Sequence, residues 1–149
     1  MSAKPGSRTD LMWGLLKRFV WIDQWLQERL AARGWEPLSR TESQIMFFIH
    51  AGVARPTEVA RALGLSRQAI NKATRPMIAR GLVTVGEDPD DGRCKVLGFA
   101  GAGEPLRRDA VQALGAMETE LARRLGKRSV DALRSALHGD WGEAVFPEG

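Results

Sequence analysis

The 149-residue chain is 44% apolar and 27% charged, with 22 Lys and Arg against 18 Asp and Glu. That is an ordinary globular composition, of a length that suits one domain, residues 1–149. The longest charge-free segment near the middle, Ser43 to Ala54, has 12 residues, and the first apolar patch, Leu11 to Leu16, runs into Lys17 and Arg18, so neither a membrane span nor a secretory signal is expected. A single Cys forms no internal disulfide and fits a reducing cytoplasm.

After a polar leader, Leu11, Leu15, Phe19, Ile22, Leu26 and Leu30 recur at the period of one helix face, and Gly34 with Pro37 marks its end. Thr41 and Gln44 read as a capping box ahead of the apolar run Ile45 to Ile49. Gly52 closes that helix. Pro56 or Thr57 opens a short one through Ala62, closed by Gly64, and Ser66 is a good N-cap for the next. Leu82 to Val85 and Val96, Leu97 and Phe99 are strand formers around a turn-rich Gly86 to Arg93, which predicts a β-hairpin with a polar tip. From Gly103, Leu106, Ala110, Leu114, Met117, Leu121 and Leu125 mark a second long amphipathic helix. Gly126 breaks it, and Ser129 is expected to cap a last helix carrying Val130, Leu133 and Leu137, with Trp141, Val145 and Phe146 in the tail. The long terminal helices display more apolar surface than the central 57 residues, 39–95, could cover, so a second subunit is expected against them.

The chemistry concentrates between residues 55 and 80. Arg55, Arg61, Arg67, Lys72, Arg75 and Arg80 face Glu58 alone, a local charge of +5 in a chain of net +4. Such a patch suits a polyanion. Within it, Val59, Ala60, Leu63, Gly64, Leu65, Ile70 and Ala73 occupy the positions of a helix-turn-helix. If Ser66 caps the second helix, Ile70, Ala73, Met77 and Ile78 point inward while Arg67, Gln68, Asn71, Lys72 and Arg75 point outward. Arg offers a planar fork to guanine, and Gln or Asn matches adenine's donor-acceptor pair. Lys72 suits phosphate.

Over residues 10 to 140 the sequence resembles the MarR family of winged-helix transcriptional regulators. The match is strongest at Asp91-Gly92-Arg93, the D-x-R of that family's wing, after Arg80-Gly81-Leu82-Val83 and before Leu97, Phe99 and Gly103. The resemblance implies a mainly α fold with a small β-hairpin: a winged helix-turn-helix lobe at 39–100, and long N- and C-terminal dimerisation helices at 8–36 and 103–146. It implies that Arg93 reaches the minor groove, that Asp91 steadies it, and that a homodimer places two wings on a pseudo-palindromic operator with half-sites ~10 bp apart. An aromatic effector in a cleft is a further family expectation, for which Trp13, Trp21 and Trp25 are candidates, although indoles more often fill a core. Two departures stand out. Ala100 replaces the family's usual helix-capping Thr, so the next helix is expected to start at Gly103 or Glu104, and Pro76 is expected to kink or end the recognition helix.

Other signals are discounted. Asp88, Asp90 and Asp91 lack the spacing of a calcium loop and read as a solvated wing. His50 and His138 are isolated and read as partly buried residues near helix ends. Cations beside Cys94 can lower a thiol pKa, yet an inert strand residue is the better reading. No metal, cofactor or catalytic constellation is recognised, so an enzyme is not expected. The expected function is a cytoplasmic, sequence-specific, ligand-responsive dimeric repressor of transcription. Alternatives are a winged-helix protein-interaction module and a small-molecule binding protein without DNA activity.

Overall fold

The computed structural model describes residues 10–143. Val145 and Phe146, and residues 8, 9 and 144–146 of the expected dimerisation helices, lie outside the described residues. Helix α1 spans Leu11–Ala32, α2 Arg40–His50, α3 Pro56–Leu63 and α4 Arg67–Ala79. Strands β1 (Val83–Glu87) and β2 (Lys95–Phe99) follow, then α5 (Gly103–Leu125) and α6 (Lys127–Leu137). The mainly helical winged helix-turn-helix order expected from the sequence is therefore present. The described residues fall into two compact units, divided between Ala113 and Leu114.

In the first unit the core is built by Leu26 and Leu30 of α1, Ile45, Met46 and Ile49 of α2, Val59 and Ala60 of α3, Ile70 and Met77 of α4, Leu82, Val83 and Leu97 of the hairpin, and Leu106 of α5. Polar groups that enter this core are satisfied. The Ser43 hydroxyl accepts from Gln27 Nε2 at 2.8 Å, and the amide oxygen of Gln27 accepts the Leu38 N–H at 3.4 Å. The strands pair antiparallel with Val83 opposite Phe99 and Glu87 opposite Lys95. The Leu97 N–H also donates to the Ala54 carbonyl at 2.8 Å, which fastens the hairpin to the chain just ahead of α3.

Several local expectations shift. The α2 capping box is formed by Ser39 and Glu42 rather than by Thr41 and Gln44: Ser39 Oγ accepts the Glu42 N–H at 3.1 Å and Glu42 Oε2 accepts the Ser39 N–H at 2.7 Å. Both pairs have the same spacing, but starting at Arg40 rather than Glu42 adds two residues, so Thr41 is already helical. Gly126, at φ +90°, rather than Ser129, precedes the first turn of α6. On α4, Ile70, Thr74 and Met77 are buried, whereas Ile78 is 43% exposed and Ala73 is half-buried. At about 100° per residue the first three lie within roughly 60° of one another, and Ile78 lies some 80° from Ile70. Thr74 tolerates burial because its hydroxyl donates to the Ile70 carbonyl at 3.0 Å. Leu65 is also exposed and does not seat the second helix; its backbone N–H closes the turn onto the Ala60 carbonyl, beside Gly64 at φ +65°.

Pro76 does not end α4, which runs on to Ala79 with Arg80 as its C-cap. The carbonyl deprived of a partner by the proline ring is that of Lys72, on the solvated face, where water can satisfy it. Helix α5 begins at Gly103, as the loss of the family's Thr at position 100 suggested. A Cβ at Gly103 would sit 1.8 Å from the Leu82 carbonyl oxygen, so only glycine permits α5 to start against the strand entry.

In the second unit Met117 and Val130 are buried, while Leu125, Leu133, Leu137 and Trp141 are exposed. In the first unit the opening turns of α1 expose Leu11, Met12, Trp13, Leu15, Leu16 and Phe19. His50, the last residue of α2, and His138, the C-cap of α6, are exposed rather than partly buried. Among the described residues no helix is long and apolar enough to cross a membrane, and no group of His, Cys, Asp and Glu is placed to hold a metal.

Candidate nucleic-acid interface

Ser66 caps α4 by accepting the Ala69 N–H at 3.0 Å. With Ile70, Thr74 and Met77 inward, the opposite side of the helix presents Arg67, Gln68, Asn71, Lys72 and Arg75, all exposed. Because Pro76 leaves the helix intact, Arg75 keeps its helical position on that face.

The hairpin tip stands beside this helix. An open groove of about 610 Å³ is lined by Arg67 and Asn71 from α4, Arg93, Cys94 and Lys95 from the hairpin, and Arg55, Pro56, Thr57, Glu58 and Arg61 at the start of α3. The fold thus brings Arg67, Asn71 and Arg93 together from distant points in the sequence. Gln68, Lys72 and Arg75 share the exposed face of α4 but do not line the groove. Of its five cationic side chains, Arg61, Arg67 and Lys95 make no ion pair with any described residue, which makes the groove attractive to phosphate.

The tip is organised by two carboxylates. Asp91 Oδ1 accepts from the Arg93 backbone N–H at 3.1 Å and from its Nε at 3.3 Å, while the Arg93 side chain stays 93% exposed. These donors hold the Asp91 carboxyl below the usual range. Asp88, expected to be solvated, is only 7% exposed. Its Oδ1 accepts the Asp90 N–H at 2.9 Å and its Oδ2 accepts from Arg55 Nε at 2.6 Å, and these bonds lower its pKa. Cys94 precedes β2 and donates its thiol to Asp91 Oδ2 at 3.6 Å. Burial, with Asp91 beside it, pushes the thiol up rather than down, which agrees with an inert cysteine.

Lys95 carries no expectation from the sequence, and Arg55 and Arg61 enter there only as part of the cationic window. Lys95 opens β2 two positions beyond Arg93, and that nearness to the D-x-R motif is the signal that could have found it. Arg55 is the N-cap of α3, immediately before Pro56, and its side chain makes no capping bond. The indoles do not form one cluster. Trp21 and Trp25 pack with centroids 5.7 Å apart and planes tilted by 36°, Arg29 lies 4.2 Å over the Trp25 ring, and Trp25 Nε1 donates to the Ala113 carbonyl at 3.2 Å. Trp13 is two turns nearer the start of α1 and 42% exposed.

Residues 36–93 match the model of the MarR family. Among solved structures, wild-type apo MarR from E. coli is 18% identical with a TM-score of 0.67, over 88% of this chain and 96% of that one. The transcriptional repressor CouR, solved on a 23-mer DNA duplex, is 22% identical with a TM-score of 0.68, over 92% and 96% of the two chains. A mutant of S. aureus MepR bound to an oligodeoxyribonucleotide is 16% identical with a TM-score of 0.55, over 86% and 94%. Among curated proteins none matches. The MarR family model thus covers the helix-turn-helix and the hairpin tip, and the fold of the whole chain is the one these solved structures share.

Proposed function

We propose that this protein is a sequence-specific double-stranded DNA-binding transcription regulator of the cytoplasm, acting as a dimeric, ligand-responsive repressor rather than as an enzyme. The observation that carries the reading is the cationic groove in which the exposed face of α4 meets the wing arginine. Residues 39–100 form the DNA-binding lobe, and 8–36 with 103–146 hold the dimer. Arg67, Gln68 and Asn71, with Arg75, read base edges from the major groove; Lys72 meets phosphate, and Ser66 fixes the start of the reading helix. Arg93, oriented by Asp91, enters the minor groove, where the negative potential of a narrow groove favours a cation. CouR and MepR, which share the fold, were each solved on DNA, and this supports the same use of the face here.

The apolar opening turns of α1, left bare in a single chain, support the homodimer. Two-fold symmetry then calls for a pseudo-palindromic operator with half-sites ~10 bp apart. A small aromatic effector near Trp13, Trp21 and Trp25 would act by favouring a half-site spacing that mismatches this distance. Selection of bound sequences from a random duplex pool, followed by salt titration of the winner, tests the core of the proposal. The expected result is an inverted-repeat site and a steep negative slope of log affinity against log salt. Failure to retain any duplex at low salt overturns it.

A further inference from the structure

Beyond the Leu97 bond to Ala54 at the base of the hairpin, the wing tip is tied to the start of α3 by a buried carboxylate. Arg55 holds the N-cap position of α3 in extended conformation and makes no capping bond with its side chain, so the guanidinium is available to reach elsewhere. It reaches Asp88: Nε donates to Oδ2 at 2.6 Å, and Nη2 pairs with the same oxygen. Every other hydrogen-bonding group of Asp88 is engaged within the wing. Oδ1 takes the Asp90 N–H, the backbone N–H donates to the Cys94 carbonyl at 2.9 Å, and the carbonyl accepts the Asp91 N–H at 3.2 Å. Asp91 in turn accepts the backbone N–H and Nε of Arg93. A continuous run of hydrogen bonds, charge-assisted at Arg55–Asp88 and at Asp91–Arg93 and joined by the backbone bond between Asp91 and Asp88, therefore leads from the start of α3 to the exposed wing arginine.

We infer that Arg55 and Asp88 are positioning residues of the DNA interface, clamping the wing so that Arg93 is presented at a fixed place beside α4. The inference rests on the DNA-binding reading above and deepens it. Two simpler roles make opposite forecasts. If Asp88 were only an anion among cations, Asp88→Asn would tighten DNA binding by removing repulsion. If Arg55 only met a phosphate, Arg55→Lys would keep its charge and bind nearly as the wild type does. A clamp requires both variants to weaken binding, because the lysine lacks the planar fork and the amide lacks the charge that the fork engages.

The test pairs DNA titrations with amide hydrogen exchange of the free protein. Asp88→Asn and Arg55→Lys are each expected to lower affinity for the selected duplex by roughly tenfold, within the range of couplings in one bonded network. Arg93→Ala should cost about tenfold in the wild type but less than about threefold in either background, since an unclamped arginine has less to lose, while Asn71→Ala costs the same throughout. In the free protein the amides of Asp90, Asp91 and Cys94 should exchange at least about tenfold faster in both variants, with the Leu97 amide unchanged. Tighter or unaltered binding by Asp88→Asn, additive losses with Arg93→Ala, or unaltered wing exchange overturns the clamp. A wild type that binds no duplex overturns the DNA reading instead, and the exchange rates still decide whether the clamp exists.

Discussion

Helix α4 and the second unit carry cations at similar density but hold them differently. In residues 114–143 four of the five cations are paired, Arg128 being the exception: Arg123 and Arg124 share Glu120 at 2.7 and 2.6 Å, Arg134 pairs with Asp131 at 3.0 Å and with Glu118, and Lys127 pairs with Asp131. On α4, Arg67, Lys72 and Arg75 make no ion pair with any described residue, although all three are exposed. A paired surface cation has spent much of its field on its neighbour and contributes little at a distance. An unpaired row on one helix face keeps its field for a partner. The net charge of +4 conceals this contrast, because acidic residues elsewhere cancel a patch that they do not touch.

The contrast breaks if the two sets of cations prove interchangeable. Replacing Arg67, Lys72 and Arg75 together by Gln is expected to lower affinity for the selected duplex by roughly a hundredfold or more and to flatten the log-log salt slope by about one unit for each phosphate no longer neutralised. Replacing Arg123, Arg124 and Arg134 by Gln should leave both within about threefold of the wild type. Fluorescence anisotropy across a salt series measures the two triples side by side. Equal losses from both would mean that bulk charge, rather than the α4 face, drives association.

The inner side of α4 sharpens the same picture from below, since the reading face stays outward only while the buried face is seated. Ile70→Ala removes a fully buried side chain at 0% exposure and is expected to cost about 2–5 kcal/mol. Ile78→Ala, at a site 43% exposed, should stay within about 0.5 kcal/mol. Urea denaturation distinguishes them. Comparable midpoints would mean that α4 is not oriented by Ile70, Thr74 and Met77.

The sequence distinguishes these two isoleucines only in part, and the reason is geometric. Apolar periodicity locates every helix to within a turn, because a buried stripe must repeat near 3.6 residues. It does not separate Ile78 from Ile70, since both are apolar, nor reveal that Thr74 enters the core by bonding its own helix. The cap of α2 lies at Ser39 instead of Thr41 because two capping boxes of equal spacing overlap there. Pro76 is a weaker breaker than its residue type suggests, as the bond it removes lies on a solvated face. At the site, Arg67, Asn71 and Arg93 are legible from helix spacing and the D-x-R motif. The burial of Asp88 is not, because its partner Arg55 lies 33 residues away and only the closed hairpin brings them together.

The smallest expected effect lies on the paired side of the comparison and follows from acid titration. Glu120 is held down to about 2 from 4.5, first by hydrogen bonds from Arg123 and Arg124 and then by their charge. With the folded pKa below the unfolded one, the unfolded chain binds the proton first as acid is added, so this contribution is complete above about pH 4.5 and lost as pH falls toward 2. Both arginines are more than half exposed, so solvent and salt screen the gain and only a slight change is expected. Glu120→Gln should therefore reduce, without abolishing, the drop in urea midpoint between pH 5 and about pH 2.5, because Asp88, Asp91 and Asp131 are also held low and titrate in the same direction. Adding 1 M salt to the wild type should mimic the substitution, as a Debye length of about 3 Å removes most of a surface pair's attraction. A variant whose pH profile overlays the wild type's would show that the arginines of the second unit are no more neutralised than those of α4, and the contrast between the two regions would lose its electrostatic basis.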